Sequence, residues 1–141
     1  MRPRSSATLR VFAKNGTGMT LDTNIIIAYL AGEQSVIDSL SAWKARGLPL
    51  YVPTVVETET LSFSKLTPSQ RVDTERFFDE SFISVCCDRS IARLAGKIRS
   101  TMRVHLADAV IAATALTAHT PLVTRNLRDF KNVPGLEVQT I

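Results

Sequence analysis

The sequence predicts an α/β protein, a three-layer α/β/α sandwich around a central, mostly parallel sheet. Short apolar segments of strand length alternate with segments whose apolar residues recur at helical spacing. The 141 residues fit one domain. No apolar run approaches the roughly 20 residues that a membrane span needs. Alternating strands and helices favour a parallel sheet covered on both faces.

Glycines divide the first part of the chain. Residues 20–21 are predicted to form the first strand, and residues 25–30 a helix closed by Gly32. Apolar residues then recur at helical spacing over 36–43, and Gly47 ends that second helix.

Proline and threonine mark the next boundaries. Residues 50–52 form the second predicted strand, and Pro53-Thr54 ends it and starts a helix that carries Glu57 and Glu59. The segment 67–70, Thr-Pro-Ser-Gln, has a capping-box pattern with proline at the first helical position, so it begins another helix.

The remaining elements complete the alternation of strands and helices. They are a strand over 83–86, a helix capped by Asp88, an alanine-rich helix from Leu106, a strand over 122–124 and a last strand over 136–138.

The net charge of +4 belongs to the start of the chain. Residues 1–18 contain four basic residues and no acid, whereas the other 123 residues carry 13 basic and 13 acidic side chains. We therefore interpret residues 1–18 as a flexible basic extension, either native or added in cloning, and Met19 as an alternative start. Residues 19–141 are the single predicted domain.

Cys86 and Cys87 are the only cysteines. Adjacent cysteines seldom bridge each other, so a disulfide framework is excluded in the monomer and a reducing cytoplasm is expected. Cys86 is predicted to pack as a small apolar residue in the strand over 83–86.

Four acidic residues are predicted to meet at one edge of the sheet. Asp22 follows the first strand, and Asp129 follows the strand over 122–124. Glu59 and Asp108 lie on helices that can lean over the same crevice. Ligands of open α/β sheets bind beyond the carboxyl ends of the strands, where the strand order reverses.

Clustered carboxylates raise one another's pKa unless cations neutralise them. Oxygen ligands without paired histidine or cysteine select Mg²⁺, with Mn²⁺ as a possible substitute, rather than Zn²⁺. Such ions support hydrolysis of phosphodiesters, so the implied substrate is nucleic acid.

Four segments, in order, carry a resemblance to a known family. They are Asp22-Thr23-Asn24, the Thr54-x4-Glu59-Thr60-Leu61 segment, the helix over 108–115 and the segment over 124–130. Together they resemble the motifs of PIN-domain proteins, and most closely those of the VapC toxins of toxin–antitoxin pairs. The resemblance covers Met19 to the last residue.

The resemblance implies a Mg²⁺-dependent endoribonuclease that acts on tRNA, rRNA or mRNA. It implies that Asp22 and Asp108 are the principal metal ligands and that Glu59 completes the acidic cluster. Thr23, Asn24 and Thr124 would hold the carboxylates or the substrate phosphate.

The last motif departs from the family pattern. Many members have an acid where this chain has Asn126, and the nearest acid here is Asp129. Asn126 is therefore a candidate neutral ligand or supporting group, and Asp129 a candidate fourth catalytic acid. Arg125 and Arg128 are candidate phosphate contacts or, equally, solvated loop charges.

The resemblance also implies partners. We expect a cognate VapB-like antitoxin that places a basic side chain among the carboxylates, a homodimer, and no membrane association.

Several alternatives stay open from the residues alone. Asp22 and Asp108 could serve only to stabilise helix starts, and Glu57 competes with Glu59. A lone histidine such as His105 is more often structural than a general base. A phosphatase that uses an aspartyl nucleophile needs a second Asp where this chain has Asn24, which argues against that class. A non-catalytic interaction module and an RNA-processing nuclease are the remaining rivals.

Overall fold

Five short strands form one parallel sheet in the order β3-β2-β1-β4-β5. The computed structural model describes residues 18–141. The strands are β1 (Met19–Leu21), β2 (Leu50–Pro53), β3 (Ile83–Val85), β4 (Leu122–Val123) and β5 (Val138–Gln139). The helices are α1 (Thr23–Leu30), α2 (Gln34–Ala45), α3 (Thr54–Leu61), α4 (Pro68–Ser81), α5 (Arg89–Thr101), α6 (Leu106–Ala118) and α7 (Leu127–Phe130). The predicted α/β/α fold with a parallel sheet is confirmed.

The first strand lies at the centre of the sheet. In β1, Thr20 pairs with Tyr51 of β2 on one side and with Leu122 of β4 on the other. In chain order, β2 and β3 are therefore added on one side of β1, and β4 and β5 are added later on the other side. The strand order reverses between β1 and β4, which makes their carboxyl ends the expected ligand crevice.

Local sequence signals account for the helix starts. The side chains of Asp22 and Asp88 accept hydrogen bonds from backbone N–H groups at the starts of α1 and α5. At α4 the predicted capping box is formed, because Thr67 accepts from Gln70 N–H and the Gln70 side chain accepts from Thr67 N–H.

The alanine-rich helix α6 is the most buried helix of the domain. Small side chains along it, from Ala109 to Ala118, let it approach the sheet and neighbouring helices closely, and it contacts β1, β2, α3 and α5. This packing fixes the start of α6, and with it Asp108, against the sheet.

The strand boundaries differ from the sequence prediction by one or two residues, and the differences at β3 and β5 have identifiable causes. β3 ends at Val85 because its pairing with β2 ends where Pro53 meets Val85. Cys86 therefore lies beyond the strand and is exposed, so its predicted packing role is wrong, and both cysteines are free thiols. The last strand starts later than predicted because residues 133–136 form a turn with Gly135 at φ +77°.

The predicted extension over residues 1–18 lies outside the described residues except for Gly18. Gly18 is buried, and a Cβ atom there would come within 2.7 Å of the Tyr51 ring. The close approach of the chain to β2 thus needs glycine at this position. Within residues 18–141, no helix is both long and apolar enough to cross a membrane.

Candidate active site

Asp22 stands at the carboxyl end of the central strand and is held by three donors. Its Oδ1 accepts from Thr23 N–H at 2.7 Å, and its Oδ2 accepts from the Thr124 hydroxyl at 2.6 Å and the Asn24 amide at 3.3 Å. The residue is only 5% exposed. Asp22 caps α1, but the additional bonds from Asn24 and Thr124 to Oδ2 go beyond what a cap requires.

Thr124 joins the ends of β1 and β4. Its fully buried hydroxyl donates to Asp22 and accepts from the Asn126 backbone N–H at 3.0 Å and the Asn24 amide at 3.3 Å. One hydroxyl therefore orients the Asp22 carboxylate and the loop that follows β4.

Glu59 and Glu57 point to different neighbours, although both lie on α3. The Thr23 hydroxyl donates to Glu59 Oε1 at 2.6 Å, which ties Glu59 to the residue beside Asp22. Glu57 instead accepts from the Ser84 hydroxyl at 3.4 Å, on β3. The structure thus places Glu59, and not Glu57, beside the crevice.

Asp108 lies in the first turn of α6 and is half-buried. Its pKa is raised to about 6, first by burial and then by the negative charges of Asp22, Asp129 and Glu59, against a smaller lowering by His105. Asp108 is therefore close enough to the other three predicted acids for their charges to oppose its ionisation.

Asp22 shows the same conflict between burial and charge. Burial raises its pKa, the hydrogen bonds from Thr124 and Thr23 lower it, and repulsion from Glu59 and Asp129 raises it again. The donors around Asp22 thus offset part of the cost of placing a carboxylate there.

Asn126 and Asp129 act as a pair. The Asn126 amide donates to Asp129 Oδ2 at 2.5 Å across the first turn of α7. The negative charge of Asp129 also raises the pKa of both Asp22 and Asp108. The structure therefore brings the Asp129 carboxylate near the other acids, with the Asn126 amide bonded to it.

Arg125 is turned toward a different partner. Its guanidinium forms a two-pronged ion pair with Glu33 and donates through Nε to the Ile141 backbone oxygen at 3.3 Å. Only its backbone N–H reaches the site, where it donates to Asn24 Oδ1 at 3.2 Å. The structure does not bring this side chain among the carboxylates, and Arg128 is exposed on α7.

The donor set fits a hard divalent cation. Carboxylate and hydroxyl oxygens surround the crevice. Burial is the main cause of the raised Asp22 and Asp108 pKa values, and a cation would relieve the repulsion that adds to it. Among residues 18–141, no three carboxylate, imidazole or thiol groups are placed to share one ion. Mg²⁺ fits such an open arrangement because it usually takes one or two protein carboxylates and keeps several waters.

Sequence reasoning missed Glu33. It follows Gly32 at the end of α1 and belongs to none of the four motifs, so nothing in the local pattern connects it to Arg125, 92 residues away. The only sequence signal for the pairing of Glu33 with Arg125 is their opposite charge, which many other pairs of residues in the chain share.

The fold and the crevice define a class of α/β protein in which separate segments bring acidic side chains to the switch point of a parallel sheet. A family model for the PIN domain matches residues 19–136. The chain belongs to the PIN-domain family, and its relatives place it among the VapC-like members.

Two relatives show the likeness in sequence. A protein named Ribonuclease VapC1, from Rickettsia felis, is 30% identical over 135 residues, covering 88% of this chain and 96% of that protein. A protein named Ribonuclease VapC, from Rickettsia bellii, is 51% identical over 45 residues, but the match covers only 32% of either chain.

Solved structures show the likeness in fold. The VapBC2 complex of Rickettsia felis, bound to a promoter DNA fragment, superposes with a TM-score of 0.76 at 22% identity, covering 88% of this chain and 98% of the other. A toxin–antitoxin complex from Klebsiella pneumoniae superposes with a TM-score of 0.73 at 28% identity, covering 86% and 96%.

Proposed function

We propose that this protein is a Mg²⁺-dependent endoribonuclease, the toxin of a VapBC-type pair. The observation that carries the proposal is the meeting of Asp22, Glu59, Asp108 and Asp129 at one crevice. Burial, together with the repulsion among these carboxylates, raises the pKa of Asp22 and Asp108. A protein gains no stability from such a cluster, so a bound cation and an anionic substrate are its best explanation.

Asp22 and Asp108 are the proposed metal ligands, because they are the two acids of the cluster whose pKa is raised by burial and by the neighbouring carboxylates. A bound Mg²⁺ would neutralise the scissile phosphate and lower the pKa of the attacking water; Mn²⁺ could substitute for it.

The chain's own residues have positioning roles in this proposal. Thr124 and Asn24 fix the Asp22 carboxylate, and Thr23 holds Glu59 at the rim of the crevice. Glu59 and Asp129 are placed to accept a proton from water or to orient it. Arg125 contributes through its backbone N–H to Asn24 rather than through its charge.

The proposed partners follow from the relatives and from the surface. The solved relatives include toxin–antitoxin complexes, and we infer a VapB-like antitoxin for this chain. Ile27, Leu30, Phe63 and Val72 expose large apolar side chains on α1, after α3 and on α4, where a partner or second copy could bury them. We place the protein in the cytoplasm. We also propose that residues 19–141 form one independent domain.

The test is cleavage of a mixed tRNA and rRNA pool by residues 19–141, with Mg²⁺, with Mn²⁺ and with EDTA. We expect metal-dependent cuts at discrete positions. Asp22→Asn and Asp108→Asn should lower the rate by at least about a thousandfold, because each removes a charge that holds the ion. Asp73→Asn, on the exposed face of α4, is the matched control and should cleave normally.

Absence of cleavage by the folded, metal-loaded and antitoxin-free protein would contradict the proposal. It would favour a non-catalytic interaction module instead. Cuts confined to precursor rRNA would favour an RNA-processing role over a toxin.

A further inference from the structure

The positive charge of the domain is concentrated on one element. Between Asp88 and Asp108 the chain carries five basic residues and no acid, whereas the rest of residues 19–141 carries eight basic and 13 acidic residues. The five, all exposed, are Arg89, Arg93, Lys97, Arg99 and Arg103, and we call them the basic surface. A domain without net charge therefore has a strongly positive face on α5 and the loop after it.

This face contains an open groove at the end of α5 and in the loop that follows it. The groove has a volume of about 720 Å³ and is lined by residues that include Gly96, Arg99, Ser100, Arg103 and His105. Gly96 contributes no side chain to the groove, and a Cβ there would meet nothing within 4 Å. Arg99 is held at the groove by its Nε, which donates to Val104 O at 3.2 Å.

One end of the groove lies near the candidate active site, because His105, which lines the groove, is close enough to Asp108 to lower its pKa. His105 lines the groove and is also the residue from which α6 begins, and Asp108 lies in the first turn of that helix. A polyanion lying along α5 would thus reach Asp108 without crossing the acidic surface of α4, which carries Asp73, Glu75, Asp79 and Glu80.

We propose that the groove between α5 and α6 binds the RNA backbone on one side of the cleavage site, with Arg99 and Arg103 contacting phosphates. The inference rests on the proposed ribonuclease function and adds to it the path of the substrate. Exposed arginines beside an open groove suit phosphate contacts, which fix register without reading sequence. They also supply the cationic face that the domain's zero net charge otherwise lacks.

Binding of unfractionated tRNA at several salt concentrations tests this path. The measurements use Asp108→Asn protein, so that cleavage does not consume the probe. We expect Arg103→Gln to weaken binding several-fold at about 0.15 M salt and to reduce the slope of log K against log salt by about 1. Arg103→Lys should keep the slope, because it keeps the charge.

Two further variants separate charge from structure. Arg99→Lys removes the directional Nε bond to Val104 but keeps the charge, so its salt slope should match that of the parent protein. Arg46→Gln removes an exposed arginine at the end of α2 and should leave both affinity and slope unchanged. In the active protein, Arg103→Gln should raise KM several-fold with little change in kcat.

Each contrary outcome has a distinct meaning. If the protein cleaves RNA but Arg103→Gln behaves like Arg46→Gln, the proposed path is wrong and the ribonuclease function stands. If Arg103→Gln instead loses affinity only for an acidic protein partner, the groove is a protein-docking site and the inference is overturned. Failure of the parent protein both to bind and to cleave RNA would overturn both proposals.

Discussion

At the scale of single residues, the charge of the Asp108 carboxylate lowers the stability of the folded protein. Asp108 carries a pKa of about 6 in the folded protein because burial and three other carboxylates oppose its ionisation. An aspartate in the unfolded chain has a pKa near 3.8. The ionised carboxylate is therefore less stable in the folded protein than in the unfolded one.

Replacement of Asp108 by asparagine should stabilise the metal-free protein while abolishing cleavage. At pH 7.5 and in EDTA we expect the free energy of unfolding to rise by about 1 kcal/mol; this is less than the pKa shift alone suggests, because the side chain is partly solvated. Urea denaturation measures the change, and Asp73→Asn is again the control.

The raised pKa of Asp108 also determines how the stabilising effect of Asp108→Asn depends on pH. The folded pKa lies above the unfolded one, so the penalty is fully present above pH 6 and is lost as the pH falls through about 6 toward 3.8. The stability difference between Asp108→Asn and the parent protein should shrink over that interval. A stability difference that stays unchanged from pH 7.5 to pH 4.5 would show that folding does not raise the pKa of Asp108.

At the scale of secondary-structure elements, the hydroxyl of Thr124 connects the ends of β1 and β4. Thr124→Val keeps the shape but removes the donor to Asp22 Oδ2, leaving a buried carboxylate oxygen with less hydrogen bonding. We expect a loss of about 1–3 kcal/mol in stability and a marked fall in the cleavage rate. Urea denaturation and the tRNA assay measure the two effects.

Thr124→Ser is the matched control, because it retains the hydroxyl. It should keep most of the activity and lose only the small packing contribution of one methyl group. Equal cleavage by the valine and serine variants would exclude a role for this hydrogen bond in orienting Asp22.

The same scale shows how far sequence reasoning reached. The position of Asp22 could be predicted from the sequence because it follows a buried strand. The start of α4 could be predicted because its capping box and proline lie within four residues. The end of β3 could not be found, since it depends on where Pro53 of the neighbouring strand stops pairing. Likewise, no local pattern directs the Arg125 side chain to Glu33 rather than to a phosphate.

At the scale of the whole molecule, exposed apolar side chains predict self-association. Ile27 is 52% exposed and Phe63 is 60% exposed, values that cost free energy in water unless another surface covers them. We expect light scattering at micromolar concentration to give about twice the chain mass of 15.5 kDa. A monomer mass that persists across a concentration series would contradict the dimer.

The central position of β1 also has a consequence for biosynthesis. Asp22 is made early, but the hydroxyl that orients it arrives 102 residues later, when β4 pairs beside β1. A ribosome-bound chain that has not reached β4 therefore lacks an ordered crevice, and such distant pairings form late in folding. Under the proposed function, ribonuclease activity would therefore appear only after synthesis has passed β4.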